Sequence, residues 1–71
     1  MLSSERTLRL AILAQAVYDC LLDIELGIED DKAESAWSYL SGHDKILKKI
    51  QRLSKEERLA WIEQLQEALD G

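Results

Sequence analysis

An all-α fold is predicted by three observations. The 71-residue chain has no proline, no phenylalanine and three glycines. Ala, Leu, Glu, Lys, Gln and Arg, all strong helix formers, dominate what remains. Apolar residues recur at helical spacing in four segments separated by short polar turns. The expectation is one domain over residues 1–71, a compact bundle of three to four helices with the long N-terminal helix at its centre.

The first helix is expected to begin after Ser3 or Ser4 as N-cap, with Glu5 in the first turn and Glu5–Arg9 as an i,i+4 pair. Nothing breaks it before Leu26, and Gly27 supplies the stop. At about 100° per residue, Leu10, Leu13, Ala14, Val17, Leu21, Ile24 and Ile28 form one stripe. Ala11, Tyr18 and Leu22 flank it on one side and Cys20 on the other, so the apolar arc spans roughly 200° where a surface helix needs little over 100°. Ile12 and Leu8 lie in or beside the narrow polar stripe of Gln15, Asp19 and Asp23.

The second helix follows the acidic turn Glu29-Asp30-Asp31. Asp30 or Asp31 caps it, and Asp31 with Glu34 resembles a capping box. Ala33, Ala36, Trp37 and Leu40 share a face, and the helix ends near Ser41-Gly42. The third starts with Asp44 as N-cap and sets Ile46, Leu47, Ile50 and Leu53 opposite Lys45, Lys48, Lys49 and Arg52. The fourth opens on Ser54-Lys55-Glu56-Glu57, a capping box that favours a break at Ser54 over one continuous helix. Leu59, Ile62, Leu65 and Leu69 recur along it, flanked by Trp61 and Ala68.

Size turns the wide apolar arc into a functional clue. A chain this short buries only about 60% of its unfolded surface and often needs a staple. The single cysteine excludes an internal disulfide, and one histidine with one cysteine cannot complete a zinc site. Oligomerisation, or unusually good helix packing, is what remains, and with the wide apolar arc a two-fold homodimer is expected. Leu10, Leu13, Val17, Leu21, Ile24 and Trp61 are the expected partner or dimer contacts.

Charge points the same way. The net charge is −5, which disfavours nonspecific binding to nucleic acid or anionic membrane. Residues 1–42 carry all of it, residues 43–71 are neutral, and residues 44–58 are net +3. Glu29, Asp30, Asp31 and Glu34 are candidate contacts for a basic partner, although their first role is to cap a helix, and their spacing does not match a calcium loop. Lys45, Lys48, Lys49 and Arg52 are the only candidate nucleic-acid contacts. Against that use, Glu56 and Glu57 open the helix that would have to read bases.

No catalytic constellation can be assembled. His43 lacks a nucleophile and an orienting group, and is read as a solvated cap residue. Cys20 has Asp19 and Asp23 nearby, which oppose thiolate formation, and is read as a buried small hydrophobe. No cofactor, metal or small-molecule substrate is expected. The uncharged run from Leu10 to Tyr18 is too short to span a bilayer, and Gln15 interrupts any signal-like apolar stretch. The sequence therefore predicts a cytoplasmic, noncatalytic protein-binding module (a regulator, adaptor or inhibitor) whose partners are itself and another protein. Two other readings remain: a helix-turn-helix-like DNA-binding regulator using residues 45–58, and an acidic inhibitor that mimics nucleic acid.

Overall fold

The computed structural model describes residues 2–70, with side chains from residue 5 to residue 70. Four helices run through them: α1 (Leu2–Leu26), α2 (Asp31–Leu40), α3 (Asp44–Arg52) and α4 (Lys55–Asp70). They form a compact all-α bundle measuring 38 × 24 × 23 Å. At about 1.5 Å rise per residue, the 25 residues of α1 account for the long dimension. α1 packs against both α2 and α4, and α2 also meets α3.

The turn chemistry shows why the chain bends where it does. Gly27 takes the left-handed conformation, φ 67°, that only glycine adopts without cost, and its N–H bonds the Asp23 carbonyl at 2.9 Å. This closes α1 one residue before Ile28, which therefore lies outside the helical stripe. Asp30 caps α2, its side chain accepting from the Ala33 N–H at 2.9 Å. Ser54 and Glu57 form the reciprocal box at the start of α4. The Ser54 N–H donates to Glu57 Oε1 at 3.0 Å and the Glu57 N–H donates to Ser54 Oγ at 3.2 Å. The break between α3 and α4 falls there, as the box suggested.

Three expected caps are corrected. α1 already begins at Leu2, so Ser3 and Ser4 sit inside the helix; their side chains lie outside the described residues. Asp31 is the first residue of α2 and not its cap, so the Asp31–Glu34 box is not formed; Asp30 already supplies the acceptor. His43, not Asp44, occupies the cap position of α3 and makes no side-chain cap bond.

One core joins all four helices. Ala16, Val17, Cys20 and Leu21 enter from α1, Ala36 and Leu40 from α2, Ile50 from α3, and Leu53 from the α3–α4 turn. Leu21, Leu40, Ile50 and Cys20 are fully enclosed. Small Ala16 and Ala36 let α1 and α2 approach closely, as two alanines at one crossing permit. α4 contributes no fully buried residue; Trp61, Ile62 and Leu65 lean on the core half-buried. Leu59, expected on the core face of α4, is 46% exposed. It lies in the first turns, rotated about 60° from Ile62 at helical spacing, and Trp61 from the other flank takes the covered position.

Two polar ties hold the outer helices to α1. Trp37 Nε1 donates to Asp23 Oδ2 at 2.8 Å, joining α2 to α1. Arg58 Nε donates to Glu25 Oε2 at 3.0 Å, and the Arg58 guanidinium also donates to the Leu53 carbonyl at 2.8 Å. The start of α4 is thereby fixed against the last turn of α1, and α4 runs back along it.

Candidate protein-docking surface

The middle of α1 is covered by its own chain, and residues 5–12 are not. Every residue from Glu5 to Ile12 is exposed. Leu8 is 61% exposed, Leu10 59% and Ile12 46%. Two separate causes produce this surface. Leu10 lies seven residues before Val17, at nearly the same angle as the core stripe, but in the uncovered stretch of the helix. Leu8 and Ile12 lie on the opposite side from that stripe, where no helical period would bury them. Ile24 (39%) and Leu26 (63%) repeat the pattern at the C-terminal end.

The expected contact residues consequently divide. Val17 and Leu21 are buried in the core of the single chain, 6% and 0% exposed. Leu13 and Trp61 are half-buried against the core. Leu10 and Ile24 remain exposed. Sequence reasoning also placed Cys20 at the margin of the stripe, and the structure puts it at the centre of the core. The buried strip of α1 runs along Ala16, Val17, Cys20 and Leu21, with Leu13 half-buried beside it.

Beside the exposed ridge runs an open groove of about 610 Å³ between α1 and α2. Ile12 and Tyr39 flank one end and Asp19, Asp31 and Lys32 the other, over a floor that includes Ala16, Ala36 and Ser35. Its α1 wall continues the side that carries Leu8 and Ile12. The Asp19 carboxylate accepts from Gln15 Nε2 at 3.1 Å, and Arg9 pairs with Glu5 at 3.1 Å on the same helix. Both pairs are solvated and worth a few tenths of a kcal/mol. The groove was not legible from periodicity, because its floor is made of alanines from two helices whose crossing point the sequence does not state.

The charged candidates are all at the surface. Glu29, Asp31 and Glu34 are exposed beside the capping residue Asp30. Lys45, Lys48, Lys49 and Arg52 line an open depression with Leu53 and Glu57. Lys49 Nζ also lies 5.6 Å from the centre of the Trp61 ring, a cation–π distance. The Glu57 carboxyl beside this basic row is held below its ordinary range by the Ser54 backbone N–H and then by the Ser54 hydroxyl.

Burial, with Asp19 and Asp23 adding to it, pushes the Cys20 thiol up to about 12, so thiolate is scarce at neutral pH. His43 is exposed and stacks on Tyr39, ring centres 4.9 Å apart. Among the described residues no group of three His, Cys, Asp or Glu side chains is placed to hold a metal ion, and no helix is long and apolar enough to cross a membrane. Comparison with protein-family models, curated proteins and solved structures finds no significant match.

Proposed function

We propose that this chain is a noncatalytic protein-binding module, a regulator, adaptor or inhibitor, that docks through the exposed side of α1 and associates with itself as a homodimer. The observation that carries this reading is the uncovered apolar side of Leu8 and Ile12, with Leu10 exposed on the other side, on a helix whose middle is well packed. Apolar side chains exposed as a group, beside a groove with a small-residue floor, suit the docking of another helix. The acidic turn around Glu29 and Glu34 then steers encounter with a basic surface and contributes more to rate than to affinity. A cytoplasmic setting fits the single thiol, which belongs to a reducing compartment.

A photoreactive side chain at position 12, in the purified protein, tests this. An adduct of twice 8.1 kDa is expected from position 12 and none from exposed position 51. No adduct at 12, or equal adducts at both, overturns the reading.

A second reading rests on the exposed row of Lys45, Lys48, Lys49 and Arg52: a DNA-binding regulator using residues 45–58. The carboxylates of Glu56 and Glu57 at the start of α4 weigh against it, since they would face phosphates. Binding to duplex DNA that weakens steeply with salt and is lost on replacing these four cations would establish it.

A further inference from the structure

The occupant of the α1–α2 groove is identifiable from what lies beside it. The ridge and the groove are on the same side of the same helix, about one turn apart. Leu8 and Ile12 protrude from the exposed end of α1. Ala16, with Ala36 and Ser35 across the groove, forms a recess. A large apolar residue and a small one, four positions apart on one helix, are self-complementary when a second copy of that helix lies antiparallel. Each Ile12 then enters the other copy's recess at Ala16, and a single two-fold axis satisfies both at once.

Charge selects the direction and the register. Arg9 lies on the same side of α1 as Ile12, and Asp19 lines the groove with Asp31 and Lys32. In an antiparallel pair, the register that sets Ile12 against Ala16 also sets Arg9 against Asp19, twice. It also sets Glu5 opposite Asp23, whose carboxylate is already bonded by Trp37 Nε1. A parallel pair would instead set Arg9 beside Arg9 and Asp19 beside Asp19, with like charges in contact along the seam.

We infer that the partner seated in this groove is α1 of a second copy of this chain, antiparallel, with Ile12 against Ala16 and Arg9 against Asp19. The inference rests on the self-docking reading above and adds the occupant's identity, direction and register. Residues 9–19 give about three turns of mutual contact, some 16 Å of helix. Such a seam makes a reversible dimer, more modest than an obligate one.

Charge reversal decides it, read by sedimentation of the full chain over a concentration series, with helix content checked by circular dichroism. Arg9→Glu and Asp19→Arg singly are each expected to raise the dimer dissociation constant about tenfold, since each places like charges at two symmetric positions. The Arg9→Glu/Asp19→Arg double variant is expected to return it to within about threefold of the original, because the pair couples. Ile12→Glu is expected to abolish the dimer without loss of helix. A dimer that Ile12→Glu dissolves but that ignores Arg9→Glu, or is not rescued by the double variant, overturns the antiparallel register and leaves docking through α1 standing. A chain that is monomeric at every concentration overturns both.

Discussion

Arg58 Nε sits 3.0 Å from Glu25 Oε2, and the Glu25 side chain is only 9% exposed. The last turn of α1 is thereby tied to the first turn of α4. The same guanidinium bonds the Leu53 carbonyl, bracing the α3–α4 turn. Removing the arginine strands a largely buried carboxylate. Arg58→Ala is expected to cost about 1–3 kcal/mol, the lower part of the range for a broken buried pair because Arg58 itself keeps some solvent. Lys55, 4.0 Å from the same carboxylate and 74% exposed, is expected to contribute under about 0.5 kcal/mol when replaced by alanine. Urea unfolding of the two variants measures the difference.

Ser54 and Glu57 hold the start of α4. Ser54→Ala is expected to cost about 1 kcal/mol by urea unfolding, as N-cap losses do. The Glu57 carboxyl is held below its ordinary value of 4.5 by the Ser54 backbone N–H, then by the hydroxyl. A depressed folded value means that the unfolded chain takes up the proton first as pH falls. The stabilisation is whole above pH 4.5 and is lost below it, through the folded value. Glu57→Gln is expected to flatten that part of the acid unfolding curve. An unchanged curve would remove the box from the account of stability.

Cys20 gives a prediction at the other end of the scale. Burial first, then Asp19 and Asp23, raises its thiol from 9.0 to about 12. Below pH 9 the thiol is neutral in folded and unfolded chains alike. Above pH 9 the unfolded chain loses the proton and the folded chain keeps it, so stability declines as pH rises toward about 12. Cys20→Ala is expected to show a shallower decline than the native sequence. In the native state a thiol-specific disulfide reagent is expected to react at the rate of global opening, and in urea at the rate of a free thiol. Rapid native labelling would contradict the burial.

Leu21 and Ile12 stand on one helix and separate core from surface. Leu21→Ala is expected to cost about 2–5 kcal/mol, enough to unfold a chain of this size or nearly so. Ile12→Glu is expected to change the stability of the single chain by under about 0.5 kcal/mol, since the side chain is 46% exposed. Thermal unfolding at low protein concentration, where self-association does not contribute, compares them.

Local chemistry was largely legible in the sequence. Gly27, the Ser54–Glu57 box and the apolar faces of α2 and α3 are decided by neighbours within four residues, and they fold as read. What depends on crossing points was not legible. Periodicity placed Cys20 at the edge of α1's stripe because it cannot say how α2 and α4 tilt across that helix. It placed Asp23 among solvated residues because it cannot see Trp37 reaching over from α2. Glu25 and Arg58 are 33 positions apart, and nothing local marks them as a pair. The apolar excess on α1 was visible, but its site was not. The angular centre of the stripe is buried at Val17 and Leu21, and the excess survives at Leu8, Leu10 and Ile12, where the other helices do not reach.

The most direct test of α1 as a self-docking helix is sedimentation velocity of the intact chain from low to high micromolar concentration, beside its Ile12→Glu variant. The expected result is a species that grows from 8.1 kDa toward twice that mass in the native sequence and stays at the lower mass in the variant. A native chain that sediments at the lower mass throughout, or a variant that associates as the native chain does, would contradict it.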